Sequence, residues 1–93
     1  MIRSFRNDAA KAAWQRRFVK GVPNDIIKVA NRKLMQINSA RTLDDLRASP
    51  GNRLEKLSSD RVGQYSIRIN DQWRVCFRWL EGDAYDVEIV DYH

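Results

Sequence analysis

Residues 64–79, QYSIRINDQWRVCFRW, decide the fold of this chain. Apolar and polar residues alternate in two runs of this stretch, and the polar residues at 70–72 separate the runs. Alternation with a period of two is typical of a β-strand with one buried face, and a short polar break is typical of a turn. The stretch therefore predicts two antiparallel strands. One face of this hairpin carries the apolar residues, and the other displays Arg68, Arg74 and Arg78.

Further strands are predicted on both sides of the hairpin. Residues 53–57 predict a short strand before it, and residues 85–92 predict a closing strand after a turn at 81–83. Residues 1–5 also alternate well enough to predict a first strand. Short strands joined by turns are typical of an antiparallel meander, so we expect the sheet to be mostly antiparallel.

Two helices are predicted in the first half of the chain. The first covers residues 9–18, with Trp14 and Phe18 on its buried face, and a Gly-Val-Pro break at 21–23 ends it. The second covers residues 25–40, where the apolar residues recur at helical spacing. The predicted order is β-α-α-β-β-β-β, which is an α+β fold with both N-terminal helices packed on one face of the sheet.

Length and composition predict a single domain, residues 1–93. The chain is 43% hydrophobic and 31% charged, as expected of a folded protein. Its apolar runs are too short to cross a bilayer and it begins without a signal-peptide core, so we expect a cytoplasmic protein with no membrane partner. One cysteine, Cys76, and one histidine, His93, are too few for a Cys/His metal cluster. No metal and no cofactor are expected.

The positive charge is concentrated in the first half of the chain. Residues 1–50 hold eleven lysines and arginines against four acidic residues, whereas residues 51–93 hold six against eight. A basic half favours a polyanionic partner, of which nucleic acid is the commonest. An acidic protein partner would suit the same surface, and so would charged helix faces that contact only solvent.

Acid–base groups follow the predicted closing strand. Asp91, Tyr92 and His93 bring a carboxylate, a phenol and the chain's one imidazole to the end of a sheet that displays three arginines. Arginine presents a planar fork of donors that matches phosphate oxygens. RNA cleavage without a metal needs a base for the 2′-hydroxyl, cations for the pentavalent phosphate and an acid for the leaving 5′-oxygen. The alternative is that the arginines pair with acidic residues of the closing strand: Asp86, Glu88 and Asp91.

Two segments resemble a known family. The pattern G-x-x-S-I-R-I-N-x-Q-W-R at 63–74 and the ending V-E-I-V-D-Y-H at 87–93 resemble the HigB-type "host inhibition of growth" toxins of the RelE/ParE superfamily. Residues 1–5 and 50–54 also look like that family. The resemblance implies a compact, RelE-like α+β domain with a curved sheet. It also implies a type II toxin–antitoxin toxin, a metal-independent endoribonuclease that cuts mRNA in the ribosomal A site and so inhibits translation and growth.

The resemblance also implies roles for individual residues. Arg68 and Arg74 correspond to the family's phosphate-contacting arginines. Asp91, Tyr92 and His93 correspond to its C-terminal active-site residues, with His93 transferring a proton, Tyr92 assisting or stacking on a base, and Asp91 tuning its neighbours.

The sequence departs from the family pattern in one segment. Some relatives carry a histidine and a lysine where this chain has Glu55 and Ser58. Either Glu55 or His93 is then a candidate base, unless Glu55 simply pairs with an arginine. Lys56 and Arg61 are candidates for the missing positive charge, and with Arg78 they are candidate nucleic-acid contacts.

The resemblance implies partners and leaves alternative functions open. The partners are a cognate HigA-type helix-turn-helix antitoxin, the ribosome and mRNA, with operator DNA reached only through the antitoxin complex. One alternative function is a toxin of the same superfamily that inhibits DNA gyrase. Another is a weakly catalytic or non-catalytic subunit that binds the antitoxin and assists repression at the operator.

Overall fold

A computed structural model describes residues 1–92. Helices α1, α2 and α3 cover Asp8–Trp14, Asn24–Ser39 and Leu43–Arg47, and strands β1 to β4 cover Glu55–Lys56, Gln64–Arg68, Trp73–Leu80 and Asp83–Asp91. Short 3-10 turns at Pro50–Asn52 and Ser59–Arg61 flank β1. The strands form one antiparallel sheet in the order β1-β2-β3-β4, which confirms the α+β class and the meander. No helix within residues 1–92 is long and apolar enough to cross a membrane.

The first five residues differ from the predicted strand. They run parallel to β4, but their strand pairing with it is reduced to two isolated bridges, Ile2 to Ala84 and Phe5 to Val87. The pairing between these residues and β4 is interrupted at Asp86, whose φ of 53° bends β4 out of regular pairing. The hydroxyl of Ser4 accepts the Asp86 N–H at 2.8 Å and so satisfies the amide that the bend leaves unpaired.

Helix α1 is shorter than predicted, and its predicted buried face was wrong. The helix ends at Trp14 because the N–H groups of Arg16 and Arg17 turn back to the carbonyls of Ala13 and Ala12. Phe18 therefore lies beyond the helix with 51% of its surface exposed. The alanines of α1 form the face that packs in the core: Ala10, Ala12 and Ala13.

Helix α2 covers the apolar face of the sheet. Ile27, Leu34 and Ile37 are at most 1% exposed and belong to the same core cluster as the inward residues of β2, β3 and β4. At about 25 cal/mol per Å² of buried apolar surface, such side chains contribute roughly 2 kcal/mol each. The second helix was thus predicted correctly, and the face of the sheet that it leaves open carries the polar residues.

Candidate functional site: an arginine pair at the end of the sheet

Arg68 and Arg74 lie directly opposite each other on β2 and β3. Side chains in this position are roughly 5 Å apart at their Cβ atoms and share one face of the sheet. Val90 lies opposite Arg74 on β4, so the pair is next to the end of the closing strand. The structure therefore brings the two predicted phosphate-contacting arginines together, on the face away from α2.

The guanidinium of Arg74 is fixed by three groups. Its Nε donates to the Ser66 hydroxyl at 2.8 Å, and its Nη2 donates to the Arg53 carbonyl at 2.8 Å. Its central carbon lies 5.7 Å from the centre of the Tyr92 ring, within the range of a cation–π contact. Because these contacts set the orientation of the fork, Arg74 is prepared to present its remaining N–H groups to an anion.

The Arg53 carbonyl is placed by a buried asparagine. Arg53 has left-handed backbone angles (φ 45°, ψ 55°) and directly follows Asn52, whose side chain is fully buried. Asn52 donates to the Leu46 carbonyl at 3.0 Å and accepts from Lys33 Nζ at 2.6 Å. This network connects α2 and α3 to the carbonyl that holds Arg74.

Arg68 has a different partner and adds to the local positive charge. Its guanidinium pairs with the carboxylate of Asp71 in the β2–β3 turn, which is 99% exposed. Burial lowers the pKa of Lys33, and the charges of Arg32 and Arg68 lower it further. A hydrogen bond from Arg68 and its charge lower the pKa of Asp71. Asp71 therefore contacts the guanidinium of Arg68 from the solvent side.

Gln72 connects the turn to the end of β4. Its amide Nε2 donates to Asp91 Oδ2 at 3.1 Å, and its carbonyl accepts the Tyr92 N–H. The turn itself is fixed by Asn70, whose Oδ1 accepts the N–H groups of Gln72 and Trp73 at 2.8 Å each. Tyr92 is thus placed beside Arg74, whereas Asp91 lies opposite Trp73 at the end of β4. His93, the predicted proton-transfer residue, lies outside the described residues.

Glu55 and Lys56 occupy the edge strand β1. Glu55 lies opposite Ser66, the residue that binds Arg74, whereas Lys56 lies opposite Tyr65. Successive residues of a strand point to opposite faces. Glu55 therefore shares the face of the arginine pair, about one strand spacing (roughly 5 Å) from Ser66, and Lys56 belongs to the other face.

Arg61 and Arg78 are engaged by acidic residues. Arg78 Nε lies 3.4 Å from the Asp86 carboxylate, as the ion-pairing alternative expects for this residue. Arg61 lies 3.3 Å from Glu88, which is 7% exposed, and also donates to Gln64 at 3.2 Å. Arg78 is four residues from Arg74 along β3, or about 13 Å, so it stands apart from the arginine pair.

Glu88 lies on the face of the sheet away from α2, where its carboxylate contacts both Arg61 and Arg6. Its second oxygen, Oε2, lies 3.2 Å from Arg6 Nε, an ion-pair contact without hydrogen-bond geometry. Beside it, the fully buried Cys76 has its pKa raised to about 11, chiefly by burial. The thiol therefore remains protonated at neutral pH and is a packing residue. Within residues 1–92, no group of three or more His, Cys, Asp or Glu side chains is arranged to hold a metal ion.

Sequence reasoning missed the residues that position the arginine pair. Lys33 was interpreted as part of a basic helix face, Asn52 as part of a loop and Arg53 as the start of the short strand 53–57. Gln72 falls inside the quoted 63–74 pattern, which was the available signal. Asn52 and Arg53 act through a carbonyl and a buried amide, and such contacts have no periodicity to reveal them.

The chain is similar to known proteins over most or all of its length. A family model described as "RelE-like toxin of type II toxin-antitoxin system HigB" matches residues 3–93. Endoribonuclease HigB of Proteus vulgaris is 32% identical over 93 residues, covering 100% of both chains. Toxin HigB-1 of Vibrio cholerae is 41% identical over 63 residues, covering 68% of this chain and 66% of that protein.

A solved structure gives the same fold. The YoeB/ParE toxin from Agrobacterium tumefaciens has a TM-score of 0.52 to this chain, covering 99% of this chain and 96% of that one. Its sequence identity is 17%, so this likeness concerns the fold alone. The RelE-like α+β fold expected from the resemblance is therefore confirmed.

Proposed function

The chain belongs to the family of RelE-like HigB toxins of type II toxin–antitoxin systems, and we propose from this that it is an endoribonuclease that cleaves mRNA on the ribosome. The observation that carries the proposal is the pair Arg68 and Arg74, which lie directly opposite each other on neighbouring strands, with the ring of Tyr92 against Arg74. Asp91 follows Val90, the β4 residue opposite Arg74. Two fixed cations and a set of proton-transfer groups at one sheet end match the needs of phosphodiester cleavage.

The proposed reaction uses the 2′-hydroxyl of the substrate as the nucleophile. A base removes its proton, and the 2′-oxygen attacks the adjacent phosphorus to give a pentavalent phosphate. Arg68 and Arg74 stabilise the charge that develops on the equatorial oxygens. The bond to the 5′-oxygen then breaks, and that oxygen takes a proton from an acid. The products are a 2′,3′-cyclic phosphate and a 5′-hydroxyl end.

Two residues are candidates for the base. Glu55 shares the face of the arginine pair and lies opposite Ser66, which is hydrogen-bonded to Arg74. His93 follows Tyr92 in the sequence and has an unperturbed pKa near neutral pH. We assign proton transfer to His93, with Glu55 as the second candidate. Tyr92 assists or stacks on a base, and Asp91 tunes its neighbours electrostatically.

Further proposals concern the absence of a catalytic metal, the attraction to ribosomal RNA and the antitoxin. Arg68 and Arg74 supply the positive charge that a metal supplies in other nucleases, so we propose cleavage without a catalytic metal. The basic surface of residues 1–50 favours ribosomal RNA through sequence-independent attraction. The proposed setting is the cytoplasm, with a HigA-type helix-turn-helix antitoxin as the neutralising partner and as the route to operator DNA.

The proposal is tested by mapping the 5′ ends of an mRNA incubated with the purified protein, with and without ribosomes. We expect new 5′-hydroxyl ends only when ribosomes are present. DNA breaks without RNA cuts would instead support gyrase inhibition, and operator repression without cuts would support a non-catalytic subunit. Replacing a phosphate oxygen at the scissile position with sulfur tests whether a metal takes part. Rescue of cleavage by Cd²⁺ would contradict a metal-free reaction.

A further inference from the structure

A cavity of about 440 Å³ lies between the end of α1 and the first half of α2. Its lining consists of Arg16, Phe18, Ile27, Lys28, Asn31 and Arg32. None of the described residues that hold or surround the arginine pair lines it. The cavity is therefore a second feature of the molecule, separate from the candidate active site.

The floor of the cavity is apolar and firmly supported. Ile27 is 1% exposed and belongs to the core, while Phe18 presents about half of its surface to solvent. Asn31, 7% exposed, donates its amide to the carbonyls of Ala13 and Trp14 at 2.9 and 3.4 Å. These bonds fix the end of α1 against α2, so the cavity is held open by the packed part of the fold.

The rim of the cavity carries three cations without acidic partners. Of the residues that the structure describes, Arg16, Lys28 and Arg32 line it, and no acidic side chain does. Within residues 1–92, none of these three takes part in an ion pair, whereas the neighbouring Arg17 pairs with Asp8 at 3.2 Å. An apolar concave floor with a cationic rim is complementary to an acidic segment that carries an apolar side chain.

Arg16 occupies this rim at a conformational cost. It has φ of 59° at the position after the C-cap of α1, where the turn back to Ala12 and Ala13 favours glycine. A left-handed conformation costs a non-glycine residue about 1 kcal/mol or more. Strain of this kind is typical of positions that serve binding.

We propose that this cavity binds an acidic segment of the cognate antitoxin. One apolar side chain of that segment contacts Phe18 and Ile27, and its carboxylates bind Arg16, Lys28 and Arg32. The proposal rests on the proposed function to the extent that a type II toxin has a protein antitoxin. RNA is the weaker occupant, because duplex phosphates carry no apolar group to fill the floor.

Two variants test the proposal against the purified cognate antitoxin by isothermal titration calorimetry. Arg32→Glu reverses a rim charge, and we expect it to weaken the affinity by about tenfold or more. Arg16→Gly removes a rim charge and also relieves strain, so it should weaken the affinity by about fivefold while raising the melting temperature. Arg41→Glu is the control for Arg32→Glu, because it makes the same charge change at an exposed residue outside the cavity.

The outcomes separate this proposal from the proposed function. Weaker antitoxin binding by both variants, with the affinity of Arg41→Glu within twofold of wild type, supports the docking site. Unchanged antitoxin affinity overturns it, and so does a loss of ribosome binding with antitoxin affinity intact. If the wild-type protein cuts no RNA, the proposed function fails, but the antitoxin titration still decides what the cavity binds.

Discussion

Arg68 and Arg74 occupy directly opposite positions on β2 and β3, although like charges placed this way destabilise a sheet. Each guanidinium is held by separate groups, Arg68 by Asp71 and Arg74 by Ser66, the Arg53 carbonyl and the Tyr92 ring. An anion bound between them would relieve their mutual repulsion. We therefore expect the pair to bind a phosphate group.

Arg68→Gln should separate activity from stability. The substitution removes repulsion toward Arg74 and Lys33 and gives up only an exposed ion pair, so we expect a melting temperature equal to or slightly above that of wild type. Cleavage should fall by about 100-fold or more, because one of two cations at the developing charge is lost. Thermal unfolding and single-turnover cleavage on ribosomes measure the two effects. A large loss of stability would contradict the repulsion argument.

Gln72→Ala should loosen the end of β4 without unfolding the protein. It removes the amide that binds Asp91 and keeps the main-chain bond to Tyr92. We expect the cleavage rate at saturating ribosomes to fall about tenfold with little change in the half-saturating concentration, because orientation is lost and binding is not. Gln72→Glu should be worse, since it places a carboxylate against Asp91. Gln15→Ala, an exposed glutamine far along the chain, is the control, and equal effects of both alanine variants would contradict a positioning role.

Asp71→Asn should improve RNA binding. Asp71 competes with phosphate for Arg68, so its neutral variant should bind a short single-stranded RNA about two- to fivefold more tightly in fluorescence anisotropy. Asp60→Asn, which neutralises an exposed acid that is not paired with Arg68, controls for net charge. Equal gains by the two variants would contradict specific competition.

The pH dependence of that effect has a defined direction. Folding lowers the pKa of Asp71 below its ordinary 3.8, first through the hydrogen bond from Arg68 and then through its charge. The pair is therefore fully present above pH 3.8 and is lost only as the pH falls through the lowered value. The difference between wild type and Asp71→Asn should stay constant from pH 5 to pH 8.

Cys76 should be unreactive in the folded protein. Burial raises its pKa to about 11, so roughly one thiol in 1,000 is ionised at pH 8. We expect no reaction with Ellman's reagent at pH 8 until the protein is unfolded in denaturant, and then one thiol per chain. Rapid labelling of the native protein would show that the open face of the sheet exposes this residue.

The parts of the fold with strict periodicity were predicted well. The hairpin of β2 and β3 and the helix α2 follow directly from alternation and helical spacing, and the core residues Ile67, Val75 and Phe77 lie where that pattern places them. The end of α1 was missed because its stop signal is Arg16 in a conformation that glycine normally adopts. The predicted first strand is reduced to isolated bridges by the bend at Asp86, and no residue pattern in the sequence predicts that bend.

The candidate site was predictable in its charged groups and unpredictable in its supports. Arg68 and Arg74 were identified from one strand face and one motif, and the structure places them together. Asn52 supports Arg74 through a buried amide that places the Arg53 carbonyl. Gln72 supports it through the main-chain carbonyl that accepts the Tyr92 N–H. Both supports depend on tertiary packing between distant segments. Arg78 shows that a position on the right strand face does not by itself place an arginine in the site, because its guanidinium pairs with Asp86 instead.

The central claim is that the arginine pair and the residues after β4 carry out RNA cleavage. The most direct test is single-turnover cleavage of ribosome-bound mRNA by the wild-type protein, Arg74→Ala and a chain lacking His93, each shown to be folded by circular dichroism. We expect the wild type to leave 5′-hydroxyl ends and both variants to be slower by about 100-fold or more. Cleavage by both variants at the wild-type rate would contradict the assignment of this site.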